Sequence, residues 1–286
     1  MSKRHDLLNH IKSLREISEI MDSIKTLSML EMHKIAQALT NQQTMLTSIE
    51  AIIQEFSSFY SLAYTAEKTG KHCLVLLGSE RGFCGGFNES LIRELEQKLN
   101  ASEPMIDGII TIGQKLSTQL IDHPKVITQL NGVSVLEETN QIIESILSTY
   151  NEIQMTQDYQ SMEIGFYQHE QQEVSFVSLL PPFQSIETSS TSNAYPPILN
   201  MTEERFLSEL VNQYLLVQIT EALYSSTMAE NQHRVRHLDS AVDRINDEVD
   251  GLDKKSHLLR QEEITEEIEV ILLSTQSIQS NNFEGK

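Results

Sequence analysis

The sequence predicts a mixed α+β and α/β fold, in which a long antiparallel coiled coil of the N- and C-terminal helices carries an inserted Rossmann-like α/β domain. Three observations predict it. Near the C-terminus Met228, Val235, Val242 and Val249 fall seven apart, and Leu238, Ile245, Leu252 and Leu259 form a second series offset by three. This alternating three-four spacing is a seam that winds one helix around another. The first 65 residues contain neither glycine nor proline, the two strongest helix breakers. Between these helical ends, strand and helix signals alternate, as in a sheet covered by helices. The predicted domains are therefore 1–65, a coiled-coil helix; 66–200, an α/β domain with a C-terminal linker; and 201–286, the second coiled-coil helix.

The elements follow in order. In the first helix Leu7, Leu14, Met21 and Ile35 recur at multiples of seven, and Ile17 and Ile24 mark the second seam position. Ser28 and Glu31 interrupt the seam with polar groups. His72 to Gly78 is an unbroken apolar run, the pattern of a strand buried on both faces. A glycine-rich turn follows, and Asn88 is the predicted N-cap of the next helix. Met105 to Ile112 contains a second strand, Gly113 to Ile121 a short helix, Val126-Ile127 a short strand and Val135 to Leu147 a helix. Met162 to Tyr167 and Val174 to Leu180 are two further strands. Pro181-Pro182 stops regular structure, and the polar stretch from Ser185 to Asn193 with Pro196-Pro197 reads as a linker. The last helix spans about 202 to 278 and would exceed roughly 100 Å if unbroken, too long to lie on one small domain. Pairing it with the N-terminal helix around Leu14 to Ile24 satisfies both seams. Its phase changes after Leu259, where Ile264, Ile268 and Ile271 take a new offset.

Composition excludes several functions. The chain has 286 residues, with 21 Lys+Arg against 41 Asp+Glu and a formal net charge of −20. That balance argues against nucleic acid or an anionic membrane as the primary partner, since phosphate binding rests on cation clusters. No stretch approaches the roughly 20 apolar residues of a transmembrane helix. The N-terminus leads into a helical pattern and not a secretory signal core. Two cysteines, Cys73 and Cys84, fit a reducing cytoplasm better than a disulfide framework.

No catalytic constellation stands out, and the sequence calls for no cofactor or metal. His233 and His237 are spaced i, i+4, but no third ligand is evident and a solvated helix face is the simpler reading. Gly78, Gly82, Gly85 and Gly86 match neither common phosphate-cradle pattern, so the turn reads as structural. Cys84 has no His or Lys close by in sequence to activate it.

Three stretches together resemble the gamma subunit of F-type ATP synthases. Ser79-Glu80-Arg81-Gly82-Phe83-Cys84-Gly85-Gly86-Phe87-Asn88 is similar to that family's signature, with Glu80 in place of an Asp and Phe83 in place of a Leu. Arg81, Gly82, Cys84, Gly85, Gly86 and Asn88 carry the match. Arg260-Gln261 followed by Ile264-Thr265-Glu266-Glu267-Ile268 resembles its C-terminal run, and Ala229-Glu230-Asn231 with Arg234 resembles a segment upstream. Ile11-Lys12-Ser13, Ile20, Lys25, Met32 and Lys34 follow its N-terminal helix.

The resemblance implies a non-catalytic rotor shaft, which couples ion-driven rotation of a membrane c-ring to ATP synthesis or hydrolysis on alpha and beta subunits. It implies contact with the alpha/beta head through Lys25, Arg260, Gln261, Thr265 and Glu267, and contact with the epsilon subunit and the c-ring at the other end. The implied location is peripheral, on the cytoplasmic face of a bacterial plasma membrane. Two departures stand out. Glu19, Asp22 and Glu31 occupy positions that are typically basic in the family, and the C-terminus is bulkier and more polar than its small apolar run. A non-rotary coiled-coil adaptor with an α/β binding domain explains the heptads equally well, but gives no reason for the glycine turn. A nucleotide-dependent α/β enzyme with helical arms is the other alternative.

Overall fold

The computed structural model describes residues 2–60, 70–101, 105–183 and 195–283. Its elements are α1 (Ser2–Phe59), β1 (Lys71–Leu77), α2 (Phe87–Asn100), β2 (Ile106–Ile112), α3 (Gln114–Gln119), β3 (Val126–Leu130), a 3-10 turn (Leu136–Glu138), α4 (Thr139–Gln157), β4 (Tyr159–Gln168), β5 (Glu173–Leu180) and α5 (Glu203–Phe283). The end of the first helix beyond residue 60 and the polar stretch 185–193 lie outside the described residues.

The strands form one sheet in the order β3-β2-β1-β4-β5. The first four are parallel, and β5 pairs antiparallel with β4. β1 lies at the centre, which explains its unbroken apolar run. Cys73, Val75 and Leu77 face Ile142, Ile143, Ile146 and Tyr150 of α4 and Ile219, Ala222 and Leu223 of α5. Leu74 and Leu76 face Phe87, Leu91 and Leu95 of α2, Leu116 of α3 and Ala229 of α5. A strand covered on both faces has no use for alternating polar residues.

Some boundaries differ from the sequence prediction. α4 starts at Thr139 and runs on to Gln157, because Ile142, Ile146, Tyr150 and Ile153 keep one buried face past the polar residues at 148–149. α2 begins at Phe87, with Gly86 and not Asn88 at its N-cap. Asn88 is turned inward: its Oδ1 accepts from the Ser79 N–H at 3.0 Å, and its Nδ2 donates to Ser79 Oγ at 2.9 Å. It fastens the turn back onto β1 instead of capping the helix.

The chain divides into two compact units, Met1–Thr26 with Leu238–Lys286, and Leu27–His237. In the first, α1 and α5 run antiparallel, because Arg4, Arg15 and Lys25 pair with Glu263, Asp253 and Asp239 in reverse order. Ile11 and Ser18 of α1 and Leu238, Val242, Val249 and Ser256 of α5 are buried between them. The second seam series of α1 is therefore Ile11, Ser18 and Lys25. Ile17, predicted there, is 44% exposed. The polar side chains of Ser18 and Lys25 hid these positions, and the neighbouring Ile17 mimicked the phase; Ile24 is half-buried, as Lys25 is. On α5 the seam runs one step past Leu259, through the half-buried Glu263 that pairs with Arg4. Ile264, Ile268 and Ile271 do not take over; all three are exposed.

In the second unit the Leu7-Leu14-Met21 spacing continues through the buried Ser28, Ile35, Gln42, Ile49 and Phe56. Ile49 and Ile53 pack on Leu210, Val211, Tyr214 and Val217 of α5. Gln42 is a polar seam residue, and its Nε2 is satisfied by the Val217 carbonyl at 2.9 Å. A buried amide without such a partner would cost about 1–3 kcal/mol.

Candidate functional site

The glycine-rich turn leaves the C-terminal end of β1, beside β4. The strand order reverses direction between these two strands, and in an open α/β sheet that crevice is where ligands bind. Here a helix of the same chain occupies it. Glu230 and Arg234 of α5 are both 5% exposed and form an ion pair one helical turn apart. Glu230 accepts from the backbone N–H groups of Glu80 and Arg81, each at 3.4 Å. Arg234 Nε donates to the Gly82 carbonyl at 3.1 Å, and its terminal nitrogens reach Asn231 Oδ1 at 2.7 Å and Cys84 Sγ at 3.3 Å. At the end of β4, the His169 N–H donates to Ser225 Oγ of α5 at 3.2 Å.

The turn's residue types suit this work. Gly85 has φ +55, and a Cβ there would lie 3.5 Å from the His237 ring. Phe83 also takes positive φ, +66, a conformation that costs a non-glycine residue about 1–2 kcal/mol. The clamp formed by Glu230 and Arg234 on either side of it holds that conformation. Glu80, which stands where an Asp was expected, bridges the next layer: one carboxylate oxygen accepts from the N–H groups of Gly132 at 2.6 Å and Gln114 at 2.9 Å. Arg81 and Gly86 are exposed.

The electrostatics follow from burial. Burial raises the Glu230 carboxyl above its ordinary value, and the Arg234 guanidinium opposes that rise. Burial, with Glu230 beside it, pushes the Cys84 thiol up to about 12, so it is not a thiolate at neutral pH. Backbone N–H groups that a phosphate would need are directed at Glu230 instead. His233 packs edge-on against Tyr167 and Phe87, with ring centroids 5.1 and 5.6 Å away, and does not share a cluster with His237. Among the described residues, no group of three or more His, Cys, Asp or Glu is placed to hold a metal ion.

The predicted head contacts lie in the first unit. Lys25 is mostly covered and is ion-paired to Asp22 at 2.8 Å and Asp239 at 3.1 Å. Hydrogen bonds to these two carboxylates, Asp22 first, hold its pKa above the usual lysine value. Asp22 and Glu31, two of the unexpected acids, are thus each paired to a lysine three residues on, Lys25 and Lys34. Arg260 and Gln261 are exposed, and the Gln261 carbonyl accepts from Thr265 Oγ1 at 2.9 Å. Glu267 lines an open groove with Arg4, Leu8 and Val270.

A family model described as ATP synthase matches residues 3–278. The ATP synthase gamma chain of Clostridium botulinum (strain Loch Maree / Type A3) is 25% identical over 281 residues, covering 92% of this chain and 93% of the relative. This chain belongs to the ATP synthase gamma family. Two solved structures share its fold. One is a chain of the Euglena gracilis mitochondrial ATP synthase, OSCP/F1/c-ring, at TM-score 0.67 and 14% identity, covering 98% of this chain and 96% of that one. The other is from the rotor of the same enzyme, at TM-score 0.61 and 14% identity, covering 92% and 99%.

The gamma-family signature and the Ala229-to-Arg234 segment, far apart in sequence, are thus two halves of one buried clamp. Each is visible in the sequence by itself, and no contiguous pattern joins the two. The available signal was a Glu and an Arg at i, i+4 in a helix whose neighbours, Thr227, Met228 and Ala229, are small or apolar. A second polar cluster has no counterpart among the sequence expectations. His72 Nε2 lies 3.3 Å from Glu163, its Nδ1 lies 2.8 Å from Ser161 Oγ, and Lys98 donates to Glu163 at 2.9 Å. It joins β1, β4 and α2 of this gamma-family domain. No motif announces it, because its members come from three separate elements.

Proposed function

We propose that this chain is the central rotor shaft of an F-type ATP synthase. The single observation that carries the proposal is the gamma-family match along residues 3–278. In this reading α1 and α5 form an antiparallel coiled coil, and the sheet is a Rossmann-like domain inserted between them. The shaft's far end turns inside a hexamer of alternating alpha and beta subunits, which hold the nucleotides and perform the chemistry. The sheet domain meets the epsilon subunit and the c-ring. Arg260, Gln261, Thr265 and Glu267 touch the head, with Arg260 suited to a bidentate grip on a carboxylate. Lys25 approaches the same partners while tied to Asp22 and Asp239. An asymmetric shaft that makes different contacts with each catalytic subunit selects a different conformation of each, which is the energetic requirement for coupling. The Glu230–Arg234 clamp fixes α5 to the sheet domain, as torque transmission requires.

No helix among the described residues is long and apolar enough to cross a membrane. In this reading the chain is peripheral, held at the cytoplasmic face of a bacterial plasma membrane by the complex. Co-expression with alpha and beta subunits from its own genome tests the proposal. The expected result is a stable complex whose ATPase activity depends on this chain. Recovery of an active hexamer that excludes the chain, against a working control, would overturn it.

A further inference from the structure

Past Glu263 the surface of α5 changes character. Ile264, Ile268, Val270, Ile271, Leu272 and Leu273 are between 46% and 66% exposed. So many large apolar side chains within ten residues mark a surface that a partner covers. The same stretch carries Glu262, Glu263, Glu266, Glu267 and Glu269, and no Lys or Arg between Arg260 and Leu273. Glu263 is answered within the chain by Arg4 at 3.7 Å. Glu262, Glu266, Glu267 and Glu269 are exposed, and Glu266 and Glu267 border a groove lined by Leu8, Val270 and Ile271, with His5 and the Arg4 that is paired to Glu263 on its α1 side.

An apolar surface and an acidic rim on one helix set conflicting demands. Covering the isoleucines draws the carboxylates toward the partner. Carboxylates brought there without counter-ions are penalised by desolvation. Carboxylates facing other carboxylates are penalised again by repulsion. A partner that buries the apolar face must therefore bring cations to the rim.

We propose that the collar covering α5 beyond Arg260 is apolar inside and rimmed by Lys and Arg, so that this shaft fits its own head and rejects one with an acidic rim. The proposal rests on the rotor-shaft reading and adds the chemistry of the partner. It also gives the acidic C-terminal helix a role in partner choice, since unlike charge selects partners and like charge excludes them.

The test uses the full chain and the purified alpha/beta hexamer from the same source. Binding is measured by biolayer interferometry from about 0.05 to 0.5 M NaCl, a range over which exposed charges become screened. Two variants are compared with the wild type: the neutral set E262Q/E266Q/E267Q/E269Q and the reversed pair E266K/E267K. Circular dichroism checks that both stay helical. Wild-type binding should weaken with salt. The neutral set should bind about tenfold more weakly at low salt with a flatter salt dependence, and the reversed pair more weakly still. Equal or tighter binding by either variant, or an unchanged salt slope in the neutral set, overturns the basic rim and leaves the shaft reading intact. A wild-type chain that binds the active hexamer at no salt concentration removes both.

Discussion

Substituting Arg234→Met tests whether the buried clamp holds α5 to the sheet domain. Arg234 reaches the Gly82 carbonyl, Asn231, Cys84 and Glu230, and all of these bonds are lost in the variant. Glu230 then keeps two backbone donors, each at the long distance of 3.4 Å, and the Cys84 thiol at 3.9 Å, while it stays 5% exposed. Removing one partner of a buried ion pair costs about 3–5 kcal/mol, because the remaining charge is stranded. In the double variant Glu230→Gln/Arg234→Met no charge is stranded, so its loss should fall short of the sum of the single variants by about 2 kcal/mol. The assay is amide hydrogen exchange across 79–88 and 225–237, with thermal unfolding followed by circular dichroism, since the chain has no tryptophan. Exchange should rise in both segments together, since each side of the clamp orders the other. A loss below about 1 kcal/mol in Arg234→Met, or strict additivity in the double variant, would refute the reasoning.

Two further predictions concern the sheet domain. Burial works against the Glu163 charge, but hydrogen bonds from His72 and Lys98 outweigh it and hold the carboxyl below its ordinary 4.5. Its stabilising contribution is therefore present above about pH 4.5 and lost as pH falls through the lower folded value. Glu163→Gln should cost about 1–3 kcal/mol at neutral pH and reduce the acid sensitivity of the melting temperature; an unchanged pH profile would rule this out. Gly113 has φ +106, and a Cβ there would sit 2.5 Å from the Gly78 carbonyl oxygen. Gly113→Ala should therefore destabilise the β1–β2 end of the domain by about 2 kcal/mol or more, and a wild-type melting temperature would contradict it.

Much of the fold was legible because hydrophobic periodicity records burial. Val235, Val242 and Val249 kept their phase, and the uninterrupted Cys73-to-Leu77 run marked a strand covered on both faces. Where burial was polar, periodicity misled: Ser18 is buried where the neighbouring Ile17 is exposed, Lys25 is half-buried beside an equally half-buried Ile24, and on α5 the half-buried Glu263 lies one step past Leu259. The position of Asn88 beside a glycine turn predicts a helix cap. Its side chain turns the other way because Ser79 offers it both a donor and an acceptor.

The sequence by itself determined the two long helices, the strand-rich middle and the family signature, because each is written in local spacing or in contiguous residues. Only the tertiary structure decided that the signature turn serves as a socket for Glu230 and Arg234. It also decided that the chain's own helix fills the crevice where a related sheet would receive a ligand. Residues about 150 positions apart meet there. Their meeting depends on how the strands order and how the helix crosses them, and no local pattern encodes that.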